Sequence, residues 1–286
     1  MEAYSGSMTS SGVSASAHGL GSRDHLCWAY RQPDELSEGV VTFLRLGLAV
    51  GQQALYLAQR PAPQLRRELA GLDGLDDLIH SGALEVRPLA DQHGEDGHVD
   101  ADGQLGAYGQ ATESAVASGF TGLRVAVDAT PLVRTPAQRE AFGRWELVAD
   151  RYMIDHPFAA LCAYDICAIG DDVADEMACL HPASWGSAPN FRLHASPLAD
   201  VALSGEVDAF ALDMFTLTLE RTVPVVPGED LRVDVRDLTF IDHRGILALA
   251  RHAQRAGGRS VVLVQPPPVV PCVLELVDAP LVRVEP

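Results

Sequence analysis

The 286-residue chain has a formal charge of −18 at pH 7, from 39 acidic and 21 basic residues, and 47% of its residues are hydrophobic. This composition predicts globular folding. The acidic balance argues against nucleic acid and anionic membranes as partners, because both need a basic surface. Every Lys/Arg position is an arginine, which excludes a Walker A motif, a lysine Schiff base and a lysine general base.

The amino-terminal residues 1–20 are rich in serine and glycine, with neither a basic start nor an apolar core. We interpret them as a disordered tail rather than a signal peptide. No apolar run in the sequence reaches the roughly 18 residues that span a bilayer. The five cysteines are odd in number and dispersed, which indicates reduced thiols in the cytoplasm.

Residues 21–182 alternate between strand and helix patterns, which predicts an α/β domain built on a mostly parallel sheet. The predicted strands are 25–30, 54–58, 84–89, 123–129 and 158–164, and the predicted helices are 35–50, 63–72, 108–118, 135–153 and 173–180. Residues 91–102 are acidic and rich in glycine and histidine. They predict a mobile surface loop in which His93 and His98 are solvated.

Four residues of this domain are candidates for ligand sensing: His25, Cys27, Tyr30 and Asp128. His25 and Cys27 are two positions apart on a predicted strand, so they share a face. We expect them at the carboxyl end of the strand, in the usual ligand crevice of an open α/β sheet. Two structural alternatives stand beside this one: a buried thiol next to a hydrogen-bonded histidine, and Asp128 as the cap of the loop after its strand.

Metal and cofactor sites are weakly indicated. Cys162, Cys167, Cys179 and His181 follow a C-x4-C-x11-C-x-H spacing, which lacks the paired cysteines of structural zinc sites, so no metal is predicted there. A haem or metal at His25 and Cys27 is left open, and no cofactor is identified.

The segment 24–30, Asp-His-Leu-Cys-Trp-Ala-Tyr, fits a His-x-Cys-x-x-Tyr signature, and residues 43–57, 122–128 and 160–165 fit later parts of the same pattern. On these residues the domain resembles the MEDS family, the methanogen/methylotroph sensory domain named after the regulator DcmR. The resemblance implies that residues 21–182 sense a small ligand or a redox or metal signal.

The same region is similar to a degenerate RecA/KaiC-type ATPase, with a strand that ends at Asp128 in the Walker B position. The phosphate cradle is missing, since residues 31–38 contain no glycine and no lysine, and their three carboxylates would repel a triphosphate. We therefore expect no ATP hydrolysis. No Ser-His-Asp signature or Gly-x-Ser-x-Gly elbow is present, so we predict no catalytic residues. An enzyme with Cys27 as nucleophile is the alternative.

Residues 183–189 are predicted to be a linker to a second, smaller α/β domain over 190–286. Its predicted order is β-β-α-β-α-β-α-β, with strands at 191–195, 200–203, 231–235, 260–265 and 281–284 and helices at 209–223, 246–256 and 269–277. This size is close to the commonest for a domain.

Two stretches of the second domain, Leu203-Ser-Gly-Glu-Val-Asp and Val233-Asp-Val-Arg-Asp-Leu-Thr-Phe-Ile-Asp-His-Arg-Gly, resemble the STAS family of anti-sigma-factor antagonists. The resemblance implies an anti-sigma factor or kinase-like regulator as partner, bound through Asp208, Asp242, His243, Arg244 and Gly245. His243 stands where the family has its phosphorylated serine, so we expect no serine-phosphorylation switch. The alternative is that His243 and Arg244 are only solvent-facing loop residues.

Together these features predict a cytoplasmic, non-enzymatic signalling regulator that binds neither nucleic acid nor membrane. A sensed signal would shift the populations of two domain arrangements around the linker 183–189. The alternative is a constitutive scaffold whose vestigial ATPase-like domain serves self-association, for example as a homodimer.

Overall fold

A computed structural model describes residues 12–14, 21–93, 99–186, 188–222 and 230–286. Two sheets organise these residues, one in each half of the chain, and helices cover them. Both halves are α/β, as expected. No helix in the described ranges is both long and apolar enough to cross a membrane.

Within the described residues the first sheet has seven strands, and every strand pair in it is parallel. The strands are β1 (Gly12–Ser14), β2 (His25–Tyr30), β3 (Gln53–Ala58), β4 (Leu84–Pro88), β5 (Leu123–Asp128), β6 (Phe158–Asp165) and β7 (Ala183–Trp185). Their order across the sheet is β1-β7-β2-β6-β5-β3-β4. The interior strand β5 is buried at every residue, because helices lie on both faces of the sheet.

The helices of the first unit are α1 (Pro33–Ala49), α2 (Ala62–Glu68), α3 (Leu75–His80), α4 (Ala90–His93), α5 (Ala101–Ala117), α6 (Pro136–Asp155), α7 (Ile166–Ile169) and α8 (Asp171–Ala178). One core lies between the sheet and α1, α2 and α3. The other lies between the sheet and α5, α6 and α8. The start of α6 is fixed by a capping box between Thr135 and Gln138, with Pro136 in the first turn.

The predicted loop 91–102 is wrong at both of its ends. Residues 90–93 form α4, and α5 begins at Ala101 rather than at residue 108. His93 is buried, 5% exposed, rather than solvated. Leu89 and Val99 on either side of this stretch are both buried in the core, which draws the flanking backbone towards the sheet. His98 lies outside the described residues.

The second unit contains β8 (Phe191–His194), β9 (Val201–Val207), α9 (Leu212–Thr222), β10 (Leu231–Asp234), β11 (Leu238–Ile241), α10 (His243–Arg255), β12 (Val261–Val264), α11 (Val269–Leu274) and β13 (Val282–Glu285). The sheet order is β11-β9-β10-β12-β13, and β8 pairs antiparallel with β9. Strand β11 is an addition to the predicted order. Only its two end residues are buried, so its pattern is too short to indicate a strand.

The two units are in direct contact. Residues 183–185, placed in the linker by the sequence, form β7 of the first sheet and pair with β2. The backbone nitrogen of Leu193 donates to the carbonyl oxygen of Cys179 at 2.7 Å. Leu147 of α6 and Cys179 belong to the apolar core of the second unit. Domain movement about 183–189 would therefore have to break both a sheet and a packed interface. Of the predicted tail, residues 12–14 pair with β7, and the rest lies outside the described residues.

Candidate functional site

Helix α6 carries two carboxylates on its buried face. Phe142, Trp145 and Ala149 of this helix pack into the core against the sheet. Glu146 and Asp150 are one turn apart on the same side and are 0% and 6% exposed. Buried carboxylates need partners, because an unpaired charge in the interior is costly.

Both carboxylates meet His25, which is the first residue of β2 and is 2% exposed. Its Nε2 lies 2.9 Å from Glu146 Oε2, and its Nδ1 lies 3.3 Å from Asp150 Oδ1. Burial lowers the pKa of His25, but the hydrogen bonds to Asp150 and Glu146 outweigh it and raise the pKa to about 9. In this arrangement His25 is a cation between two anions.

Two further side chains complete a group that we call the buried centre: His25, Glu146, Cys162 and His181, all buried. Cys162 Sγ lies 3.9 Å from His25 Nε2 and 3.8 Å from Glu146 Oε2. His181 Nε2 lies 3.5 Å from Glu146 Oε2, and the rings of the two histidines are 4.2 Å apart. Burial lowers the pKa of His181 to about 4, so this second histidine is neutral.

Asp150 joins the buried centre to the second unit. While Oδ1 faces His25, Oδ2 accepts a hydrogen bond from the backbone nitrogen of Ala195 at 2.8 Å. The ring of His194 lies 3.7 Å from the same oxygen. Burial raises the pKa of Asp150, but the hydrogen bonds to His194 and His25 hold it well below its usual range. One ionised side chain therefore contacts both units.

His25 and Cys27 lie on the same face of β2, but not where the sequence placed them. The strand begins at His25, so the pair lies at the amino end of the sheet, and the expected position in the carboxyl-end crevice is wrong. Cys27 is fully buried, and burial raises the pKa of its thiol, which keeps it protonated. The ring of His25 lies against that of His181, with the centroids 4.2 Å apart and the planes tilted by 47°.

Tyr30 and Asp128 lie at the opposite, carboxyl end of the sheet, about five residues or ~16 Å along the strand from His25. Asp128 Oδ2 accepts from Arg60 Nη1 at 2.9 Å, and Arg60 also pairs with Glu68 at 2.7 Å. Tyr30 is buried, and burial raises the pKa of its hydroxyl. The four predicted sensing residues thus form two separate groups, and the carboxylate of Asp128 is already neutralised by an arginine.

Residues 24–182 match the family model of the MEthanogen/methylotroph, DcmR Sensory domain, abbreviated MEDS. The chain belongs to this family. The matched residues contain every member of the buried centre, as well as Asp150, and they end before the second unit begins. A search of curated proteins finds no match.

A cavity of about 480 Å³ lies between the MEDS domain and the second unit. Its apolar lining comes mainly from α6, β9, α10 and β12, and polar side chains at its edge include Arg151, Asp155 and Arg259. Mostly apolar concave sites at domain boundaries with a few polar groups are typical of small-molecule binding. This cavity could not be predicted from the sequence, because its walls come from both units.

The predicted partner-binding residues of the second unit fall into three groups. Asp208 and Asp242 are local caps, since each accepts hydrogen bonds from backbone nitrogens two and three residues later. Gly245 is buried and is not available to a partner; a Cβ there would lie 2.6 Å from Ile241, so its role is packing. His243 and Arg244 are exposed at the start of α10.

The sequence analysis did not predict that His25 forms one group with four other residues: Glu146, Asp150, Cys162 and His181. One signal for them was present: two carboxylates four residues apart on the apolar face of the predicted helix 135–153. The C-x4-C-x11-C-x-H spacing groups Cys162 and His181 with Cys167 and Cys179, but Cys167 is exposed and lies outside the buried centre. Cys179 packs in the core of the second unit instead.

Proposed function

We propose that this protein is a cytoplasmic, non-enzymatic signalling regulator. The MEDS domain senses a small ligand or a redox or metal signal, and the second unit passes it to a partner protein. The observation that carries the proposal is the double contact of Asp150, with His25 on one side and the backbone of Ala195 on the other. Cys27 has no catalytic role in this proposal, because a buried, protonated thiol is a poor nucleophile.

Coupling between the units follows from this contact. A signal that changes the charge or position of His25 changes the interaction that holds Asp150, and Asp150 in turn holds the end of β8. Helix α6 also lines the cavity between the units, so a small amphipathic ligand there would contact the same helix. Either event couples the MEDS domain to the second unit, provided that it favours one arrangement over another.

Several features support a STAS-like identity for the second unit. Gly205 lies within β9, at an irregularity of its pairing with β11. It has φ 82°, and a Cβ there would clash with the carbonyl oxygen of Asn190. Gly245 lets α10 approach β9 and β11 closely, and Asp242 caps that helix. These are the positions that carry the resemblance to anti-sigma-factor antagonists. We therefore propose an anti-sigma factor or a kinase-like regulator as the partner.

The docking surface in this proposal lies at the end of the second sheet where the carboxyl ends of the parallel strands β9 and β11 meet. Arg244 is exposed there, and Phe210, after β9, is 91% exposed. Aromatic and arginine side chains are enriched at protein interfaces. His243 occupies the serine position and the hydroxyl of Thr239 donates to the carbonyl oxygen of Gly205, so regulation without serine phosphorylation fits this surface.

The docking role is tested by Arg244→Glu in the full chain, with affinity measured against the anti-sigma factors of the source genome. We expect binding at least tenfold weaker, equal to ~1.4 kcal/mol. The matched control is Arg251→Glu, an exposed arginine two turns further along α10, which should bind like the parent. If Arg244→Glu binds the partner as tightly as the parent chain and Arg251→Glu do, Arg244 has no docking role.

The alternative, a constitutive scaffold, is favoured by the burial of His25 and Cys27, which keeps ligands away from them in the described arrangement. A His25→Ala/Cys27→Ser variant separates the two proposals. If it signals in cells like the parent chain, the scaffold is the better account. If its partner affinity no longer responds to the signal, the sensor is.

A further inference from the structure

We infer that the buried centre is a binding site for one divalent transition-metal ion, with zinc as the best fit. The ligands are His25 Nε2, His181 Nε2, Cys162 Sγ and Glu146 Oε2, which all lie within 4.8 Å of one another. The inference deepens the proposed function by naming a candidate signal, and only that use as a signal rests on the proposed function. The metal site itself is argued from geometry.

The distances between the four donor atoms are close to those around a tetrahedral ion. Metal–ligand bonds of ~2.0 Å to nitrogen and oxygen and ~2.3 Å to sulfur place neighbouring donors ~3.3–3.5 Å apart. The observed separations are 3.9 Å and 3.8 Å from Cys162 Sγ to His25 and Glu146, and 3.5 Å from His181 to Glu146. The two separations from the sulfur are slightly longer than this range, and the pair His25–Glu146, at 2.9 Å, is shorter. A small outward movement of one side chain would admit the ion.

Three of the ligands, His25, His181 and Glu146, are held from behind, as metal ligands usually are. His25 turns Nδ1 towards Asp150, and His181 turns Nδ1 towards the carbonyl oxygen of Met177 at 2.8 Å. The hydroxyl of Tyr164 donates to Glu146 Oε1 at 3.0 Å, which leaves Oε2 for the centre. Carboxylate and carbonyl partners behind ligating histidines fix the tautomer that presents Nε2 to the metal.

His181 supplies the second, independent observation. A carbonyl oxygen only accepts hydrogen bonds, so Nδ1 of His181 must donate to Met177. The other ring nitrogen, Nε2, is buried and has no hydrogen-bond partner among the described residues. It is directed into the centre, 3.5 Å from Glu146 Oε2. A metal ion at the centre would give this nitrogen a partner.

The donor types of the centre also fit a divalent transition metal, since two imidazoles, a thiol and a carboxylate are the side chains that bind zinc. Imidazole and thiolate donors select zinc, cobalt and similar ions over magnesium and calcium.

The four ligands come from separate elements: β2, α6, β6 and the turn after α8. This explains why the spacing of the cysteines predicted no metal. It also gives occupancy a route to the second unit, since the ligand His25 is held by Asp150, which holds Ala195.

The test uses the full chain, stripped with a chelator and titrated with Co²⁺ and Zn²⁺. We expect one ion per chain, with visible bands of tetrahedral cobalt and a near-ultraviolet thiolate-to-cobalt band. Cys162→Ser should abolish the thiolate band, and Asp150→Asn should weaken affinity ~10–100-fold. The matched control is Cys27→Ser, a buried cysteine that is not a member of the centre, which should keep the spectrum.

Three results would overturn the inference: no tight binding by the parent chain, a thiolate band that survives in Cys162→Ser, or a band lost in Cys27→Ser. If Cys162→Ser does not fold, His181→Gln takes its place, and cobalt binding unchanged by that substitution is equally decisive. Partner affinity is measured with and without zinc in a separate experiment. Tight zinc binding without an effect on the partner would contradict the proposed function and leave the metal site standing.

Discussion

Replacement of Asp150 by asparagine removes the charge that connects the two units and keeps the size of the side chain. The amide oxygen can still accept from Ala195, now 2.8 Å from Oδ2, but it cannot balance protonated His25 at 3.3 Å. A broken buried ion pair costs ~3–5 kcal/mol, and a hydrogen bond to a charged group contributes ~1.5–3 kcal/mol. Since one acceptor survives, we expect Asp150→Asn to lower the free energy of unfolding by ~2–4 kcal/mol.

The assay is urea unfolding of the full chain at neutral pH with a chelator present, so that metal does not contribute. The control is Asp155→Asn at the exposed end of the same helix, which should change stability by less than ~0.5 kcal/mol. If Asp150→Asn is no more destabilising than this control, the ion pair with His25 does not support the structure in the way described.

Three further predictions concern other parts of the chain. Burial lowers the pKa of His93 to about 4 from an ordinary 6.5, so protons bind the unfolded chain more tightly than the folded chain. The free energy of unfolding should therefore fall by ~3 kcal/mol between pH 6.5 and about 4. His93→Gln should flatten this pH dependence in urea unfolding, and an unchanged profile would contradict the assignment to His93. Gly245→Ala should lower the free energy of unfolding by ~1–3 kcal/mol, because the new Cβ would lie 2.6 Å from Ile241. Gly106→Ala, with open space around the helical glycine, should raise it by ~0.5–1 kcal/mol. Thermal unfolding of both variants tests this pair of predictions. Iodoacetamide should label the exposed Cys167 in the native chain and spare Cys27, and rapid labelling of Cys27 would instead support the nucleophile alternative.

The strands and helices were predictable where the apolar pattern was long and regular. The near-continuous run Leu123–Asp128 indicated a buried parallel strand, and it is buried at every residue. The Thr135–Pro136 start of the long helix was also visible, because capping is a local property of the sequence. Strand β11 could not be predicted, because it has only four residues and the two in the middle are exposed, so no alternation of apolar and polar residues is visible. Local rules work where the local signal is strong.

The buried centre could not be assembled from the sequence, because it depends on which strands are neighbours. The pairing of β2 with β6 places Cys27 next to Cys162, although they are far apart in the chain. The same pairing puts His25 at the amino end of the sheet, away from Tyr30 and Asp128. The signature residues were found, but their grouping required the fold.

The central claim is that the state of His25 reaches the second unit through Asp150. Hydrogen–deuterium exchange of the peptide that contains Ala195, compared between the parent chain and His25→Gln, tests it most directly, with the peptide of β13 (Val282–Glu285) as internal reference. The account predicts faster exchange at Ala195 in the variant and no change at β13. Equal protection of Ala195 in both proteins would contradict it.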